Sequence, residues 1–91
     1  VIYKLALTSR FNNDLKKILK RGYDLQELHR VINLLQAGIT LPNKYRDHAL
    51  GGNWNGHREC HVKPDWLLIY KVENNVLVLT LVRTGTHSDL L

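Results

Sequence analysis

The sequence predicts an α+β domain of order β-α-α-β-β-β, with a helical hairpin packed on one face of a mainly antiparallel four-stranded sheet. Two stretches of helical periodicity follow each other with only a very short turn between them, which makes an antiparallel pair. Three strand-like runs then fill the second half, separated by compact turns. A short apolar run precedes the helices. Helices grouped ahead of strands belong to α+β folds. One face of such a sheet stays open, and a site is expected there.

Each element has a local cause. Residues 2–7 carry Ile2, Tyr3 and Leu5 and read as the first strand. Ser9 is placed to cap the first helix, whose apolar stripe is Phe11, Leu15, Ile18 and Leu19. Arg10, Lys16, Lys17, Lys20 and Arg21 lie mostly off that stripe, and Gly22 suits the left-handed turn that ends it. Asp24 opens the second helix, with Glu27 three residues on as in a capping box. Leu25, Leu28, Val31, Ile32, Leu34 and Leu35 give it a broad apolar face, and Gly38 stops it. Residues 39–52 read as an extended connector, since Pro42 disfavours helix at Leu41 and Gly51-Gly52 marks a turn. The remaining strands are 53–62, with a bulge at Gly56, then 66–72 and 76–82. Lys63-Pro64-Asp65 and Glu73-Asn74-Asn75 connect them. The nearly continuous apolar run of 76–82 predicts a buried central strand, and residues 84–91 a short helical turn.

The chain has 91 residues and neither a linker nor a low-complexity run, which predicts one domain over 1–91. With 13 Lys and Arg against 8 Asp and Glu, the net charge of +5 favours a polyanionic partner. A lone cysteine, Cys60, cannot form an internal disulfide and reads as a small packing residue. No apolar run approaches the ~20 residues that span a bilayer. The opening Val1-Ile2-Tyr3-Lys4 lacks a signal-peptide layout, so no membrane association and a cytoplasmic location are expected.

Four of the five histidines, His48, His57, His61 and His87, fall in the second half; His29 reads as a helix surface position. His61 and Asp65 flank one tight hairpin and are expected to approach each other. His48 precedes the strands and His87 follows them, so both can converge on the same rim. Cutting RNA through its 2′-hydroxyl needs a base, an acid and stabilisation of a crowded phosphate. Histidine exchanges a proton near neutrality, a carboxylate can orient it, and an arginine fork can hold two phosphate oxygens. His48, His61, His87, Asp65 and Arg83 supply that set. Glu59 should share a strand face with His57 and His61 and is a second acid–base candidate. Trp66 reads equally as core or as a platform for a base, and Arg83 equally as a phosphate ligand or a carboxylate's partner. His57 reads as a solvated strand residue. No zinc spacing is present, so neither a metal nor another cofactor is expected.

Tyr45-Arg46-Asp47-His48-Ala49-Leu50, then Gly52, Trp54, Gly56 and Arg58, resembles the YafQ branch of the RelE/ParE toxin superfamily. So do Cys60-His61-Val62-Lys63-Pro64-Asp65-Trp66 and the closing Arg83-Thr84-Gly85-Thr86-His87. The resemblance implies a RelE-like fold and the toxin of a type II toxin–antitoxin system. It implies metal-independent, ribosome-dependent mRNA cleavage in the A site, which inhibits translation. His87 looks like the general acid, with His61, His48 and Asp65 as the other catalytic positions. Trp66, Arg83, Arg46 and Glu59 would contact substrate. Implied partners are a cognate antitoxin, mRNA in the A site, 16S ribosomal RNA, and operator DNA reached through the antitoxin. Where the family often carries an aromatic residue after the last histidine, this chain has Leu90 and Leu91. Two other readings share the features: a non-catalytic toxin of this fold acting on DNA gyrase, and an RNA-binding module without turnover.

Overall fold

The computed structural model describes residues 2–90, so Leu91 and any part it plays in the tail lie outside the described residues. Strand β1 (Lys4–Leu7) leads into α1 (Ser9–Lys20), and α2 (Gln26–Gln36) follows. A 3-10 turn at Asn43–Tyr45 precedes the two-residue strand β2 (His48–Ala49), and a second at Gly52–Trp54 precedes β3 (Arg58–Lys63). Strands β4 (Trp66–Glu73) and β5 (Val78–Gly85) come next, and the four-residue helix α3 (His87–Leu90) closes the described chain. The strands make one five-stranded sheet of order β1-β5-β4-β3-β2, parallel between β1 and β5 and antiparallel elsewhere.

The α+β class and the element order are those the sequence predicts; the sheet has five strands instead of four. The added strand comes from the connector, where His48 pairs with Glu59 and Ala49 with Arg58. Two residues with one apolar member carry no alternation to detect. Helix starts also differ. Thr8, not Ser9, caps α1: its hydroxyl oxygen accepts from the Phe11 amide at 3.0 Å and its hydroxyl donates to the Val82 carbonyl at 2.7 Å. Asp24 accepts from the Gln26 amide at 2.9 Å, and α2 starts after it. Glu27 closes no capping box, because its carboxylate accepts from the Tyr45 hydroxyl at 2.8 Å. Strand β3 starts at Arg58 because Gly56, at φ 87°, turns the chain before it. Strand β5 runs later than 76–82: Val76 and Leu77 form the exposed β4–β5 turn, with Leu77 left-handed at φ 54°. As predicted, β5 is central, flanked by β1 and β4.

Both helices cover one face. Phe11 and Ile18 of α1 and Leu28, Val31 and Leu35 of α2 pack on Cys60, Val62, Trp66, Leu68, Tyr70, Leu79 and Leu81. Each such aliphatic or aromatic burial stabilises by roughly 1.5–3 kcal/mol. Cys60 is fully buried there, and burial pushes its thiol up to about 12.

One polar link enters this apolar layer. Asp14, 5% exposed on α1, accepts from Arg83 Nε at 2.7 Å, from Arg83 Nη2 at 3.0 Å and from the Thr84 amide at 3.2 Å. β1 pairs with β5 only as far as Leu81, and beyond that point α1 takes its place beside β5 through this carboxylate. Asp14→Ala leaves a desolvated guanidinium without its partner and is expected to destabilise by about 3 kcal/mol. Urea unfolding of wild type and variant checks this, and a loss within error of zero would contradict it.

Candidate active site

The sheet register builds the site on the face away from the helices. His48 lies opposite Glu59, Glu59 opposite Ile69, and Ile69 opposite Arg83. One row along, His61 lies opposite Leu67 and Leu67 opposite Gly85. Cross-strand partners share a face, and Cys60 and Val62 belong to the core. Glu59 and His61 therefore point the other way. His87 follows Gly85 by two residues and reaches the same rim. The imidazole centroids of His48 and His61 are 6.4 Å apart, and those of His61 and His87 5.7 Å apart. Three rings from three strand ends thus form one row.

In each ring Nδ1 faces an oxygen. His48 Nδ1 donates to the Arg46 carbonyl at 2.8 Å, His61 Nδ1 to the Pro64 carbonyl at 3.3 Å, and His87 Nδ1 to Asp65 Oδ1 at 2.6 Å. A carbonyl only accepts, which fixes the protonated nitrogen. Nδ1 is thus the tied nitrogen in all three. Asp65 Oδ1 also accepts from the His87 amide at 3.1 Å, and the His87 hydrogen bond holds the Asp65 carboxyl below the usual carboxylate range. Asp65 thus bonds His87, a partner the hairpin spacing did not name; the β3–β4 turn aims it across at the end of β5. Glu59, with a side chain 14% exposed, approaches His48 Nε2 at 3.5 Å.

Other expected residues fall elsewhere. Trp66 is 2% exposed, donates from Nε1 to the Thr84 hydroxyl at 2.9 Å and packs edge-on against Tyr23. It is a core residue with no ring face for a base. Arg83 pairs with Asp14 through Nε and Nη2 and has a side chain 12% exposed, the carboxylate pairing that the sequence also allowed. Arg46 is exposed beside His61, in left-handed backbone at φ 50°. His57 precedes β3 instead of sharing its face with Glu59, and its ring lies edge-on to Trp54. His29 is exposed on α2, as predicted.

Two supporting groups escape sequence reasoning. Asp47 accepts from Arg58 Nη2 at 3.1 Å and from the Tyr70 hydroxyl, which fixes the backbone entering His48. Burial, with Asp47 adding to it, pushes the Tyr70 phenol well above its ordinary range. Arg21, just past α1, grips Asp89 through two bonds of 2.6 and 2.9 Å. Asp89 also accepts from the Thr86 amide at 2.9 Å. A Cβ at Gly85 would lie 2.9 Å from Asp89, so only glycine allows α3 to fold this close. Arg21 thereby holds the turn that carries His87. The missed signal was the acid–base pairing of a helix-end arginine with an acid 68 residues away, which no local pattern reveals. Among the described residues no group of three or more His, Cys, Asp or Glu is arranged to hold a metal ion.

A small α+β fold with a row of imidazoles on its open sheet face places the chain in one class, the bacterial toxins of type II toxin–antitoxin systems. The YafQ model of that class matches residues 3–91, and the chain belongs to the YafQ toxin family. The mRNA interferase toxin YafQ of Escherichia coli K12 is 40% identical over 87 residues, covering 94% of this chain and 92% of the relative. A copper-bound mutant toxin from Helicobacter pylori superposes with a TM-score of 0.92 at 41% identity, covering 99% of this chain and 100% of the other. The toxin in the E. coli DinJ–YafQ toxin-antitoxin complex superposes with a TM-score of 0.91 at 37% identity, covering 100% and 99%.

The Arg21 bond holds the Asp89 carboxyl well below its ordinary value of 3.8. The unfolded chain therefore binds the proton first, and the link is intact above that value and lost as pH falls through the folded one. An acid titration followed at the Thr86 amide by NMR is expected to show a midpoint below 3.8 in wild type, and random-coil shifts at neutral pH in Asp89→Ala. A wild-type midpoint at the ordinary value would contradict the link.

Proposed function

We propose that this toxin is an endoribonuclease that cleaves mRNA in the ribosomal A site through the RNA 2′-hydroxyl, by side-chain acid–base chemistry. The observation that carries this is the row of three imidazoles, each anchored at Nδ1. His48, beside Glu59, is the candidate base that takes the 2′-hydroxyl proton. The 2′-oxygen then attacks phosphorus, and the bond to the 5′-oxygen breaks. His87, whose imidazolium Asp65 stabilises, gives that oxygen its proton, leaving a 2′,3′-cyclic phosphate. His61 lies between them and, as an imidazolium, donates from Nε2 to the phosphate, with Arg46 adding charge at the rim. Trp66 is buried beneath this frame, and Arg83, paired with Asp14, stands near the end of β5 beside it.

The relative named mRNA interferase, at 40% identity, supports the reaction class. The solved DinJ–YafQ complex supports a cognate antitoxin. That partner would cover the imidazole row or block access to the ribosome, and the toxin–antitoxin pair would reach operator DNA through the antitoxin. The solvent side of α1, with Arg10, Lys16, Lys17 and Lys20 exposed, suits the backbone of 16S ribosomal RNA. No helix among the described residues is long and apolar enough to cross a membrane, which is compatible with action in the cytoplasm.

His87→Ala should fold and lose cleavage by roughly 10²–10⁴-fold. Mapping of cut sites on mRNA with and without ribosomes is expected to give cuts only with ribosomes, carrying cyclic phosphate ends. A folded His87→Ala variant cutting at the wild-type rate would overturn the assignment. Loss of DNA supercoiling by gyrase with intact RNA would favour the non-catalytic reading.

A further inference from the structure

A cleft of about 320 Å³ opens beside His61, between the Asn43–Tyr45 turn and the β3–β4 turn. Its size is at the lower end of small-ligand sites, about 300–1,000 Å³, and suits one nucleotide rather than a longer stretch. Lys44, Arg46 and Lys63 line it, and all three are exposed. Tyr45 is its buried floor, 2% exposed, so the cleft offers no ring face for stacking. Against three cations stands one anion, Glu27, whose side chain is 18% exposed.

Glu27 is held ionised chiefly by the Tyr45 hydroxyl, with burial opposing and nearby cations assisting. Only the Tyr45 contact is a short hydrogen bond; Arg30 and Lys44 stand at 3.6 and 3.7 Å. A carboxylate has about four lone-pair sites, so acceptor capacity remains beyond the Tyr45 bond, on a side chain that lines the cleft. The cations match a phosphate, and the free carboxylate sites match a base edge that donates. Adenine, cytosine and guanine each present an exocyclic amine. Uracil offers a single N–H between two carbonyls, and a carboxylate repels both.

We propose that this cleft is a subsite for the nucleotide adjoining the cut, gripping its phosphate with Lys44, Arg46 and Lys63 and using Glu27 to favour an amine-bearing base over uracil. It rests on the RNA-cleaving reading, since His61 belongs both to the imidazole row and to the cleft wall. A strand with its phosphate at the imidazoles places the neighbouring nucleotide there.

The experiment has two arms. Ribosomes are programmed with messages that differ only in the base on either side of a mapped cut. The wild-type toxin is expected to cut about tenfold more slowly when uridine occupies the cleft position, and Glu27→Gln to shrink that difference to about threefold or less. Glutamine still accepts from the Tyr45 hydroxyl, so the floor is kept. Lys44→Gln and Lys63→Gln are expected to raise KM for all four bases alike. A Glu27→Gln variant with the wild-type preference overturns the proposal. The second arm needs neither a variant nor the ribosome: 3′-CMP and 3′-UMP are titrated into wild-type toxin and followed by NMR. Shifts at Lys44, Tyr45 and His61, with 3′-CMP the tighter, support the subsite even where no RNA is cut, and in that event only the cleavage reading falls. Equal binding of the two nucleotides, or shifts at His87 with none at Lys44 and Tyr45, removes the subsite whatever the cleavage result.

Discussion

The buried carboxylate of Asp14 is the contact on which the rest of the architecture hangs. β5 has a strand neighbour on this side only up to Leu81. Past that point its backbone and the Arg83 fork are completed by a helix, through one side chain 5% exposed. A charge so placed is stabilising only while fully paired. Because it is, α1 is held to the last part of β5, and the end of α1 then stands where Arg21 can take Asp89. The position of His87 follows from a chain of two ion pairs, one buried and one at the surface. The same contact explains why Arg83, an apparent phosphate ligand, is committed inward.

The three imidazoles stand at the start of β2, within β3 and just past β5, and each is tied at Nδ1 to an oxygen: a carbonyl two residues before, a carbonyl in the next turn, a carboxylate 22 residues away. Such ties set the tautomer without burying the ring, so the three stay wet enough to exchange protons and still enough to be aimed. Two of them differ in their carboxylate neighbours: His87 meets Asp65 with Nδ1, whereas His48 faces Glu59 with Nε2.

The fold class, the helical hairpin and the central place of β5 were legible because each rests on a long periodic segment. The expected meeting of His48, His61, His87 and Asp65 on one rim is what the structure shows. What escaped were facts that depend on the partner and not on the local pattern. β2 is a strand only because β3 lies beside it, and Val76 and Leu77 look like strand but serve a turn fixed by Leu77's left-handed backbone. Asp65 was expected only to approach His61 in its own hairpin, and its hydrogen bonds to His87 depend on where the end of β5 lies. Trp66 and Arg83 illustrate a general ambiguity: side chains rich in contact chemistry serve a ligand or a core equally well, and only packing decides.

Cys60 carries a consequence for chemical probing. With its sulfur sealed in the core and its ionisation pushed up to about 12, almost no thiolate exists near neutrality. Peroxide, glutathione and alkylating reagents act on the thiolate and need access to it. The folded domain offers them neither. A thiol reagent that leaves the fold intact therefore has no route to Cys60, and modification of that sulfur would report opening of the core.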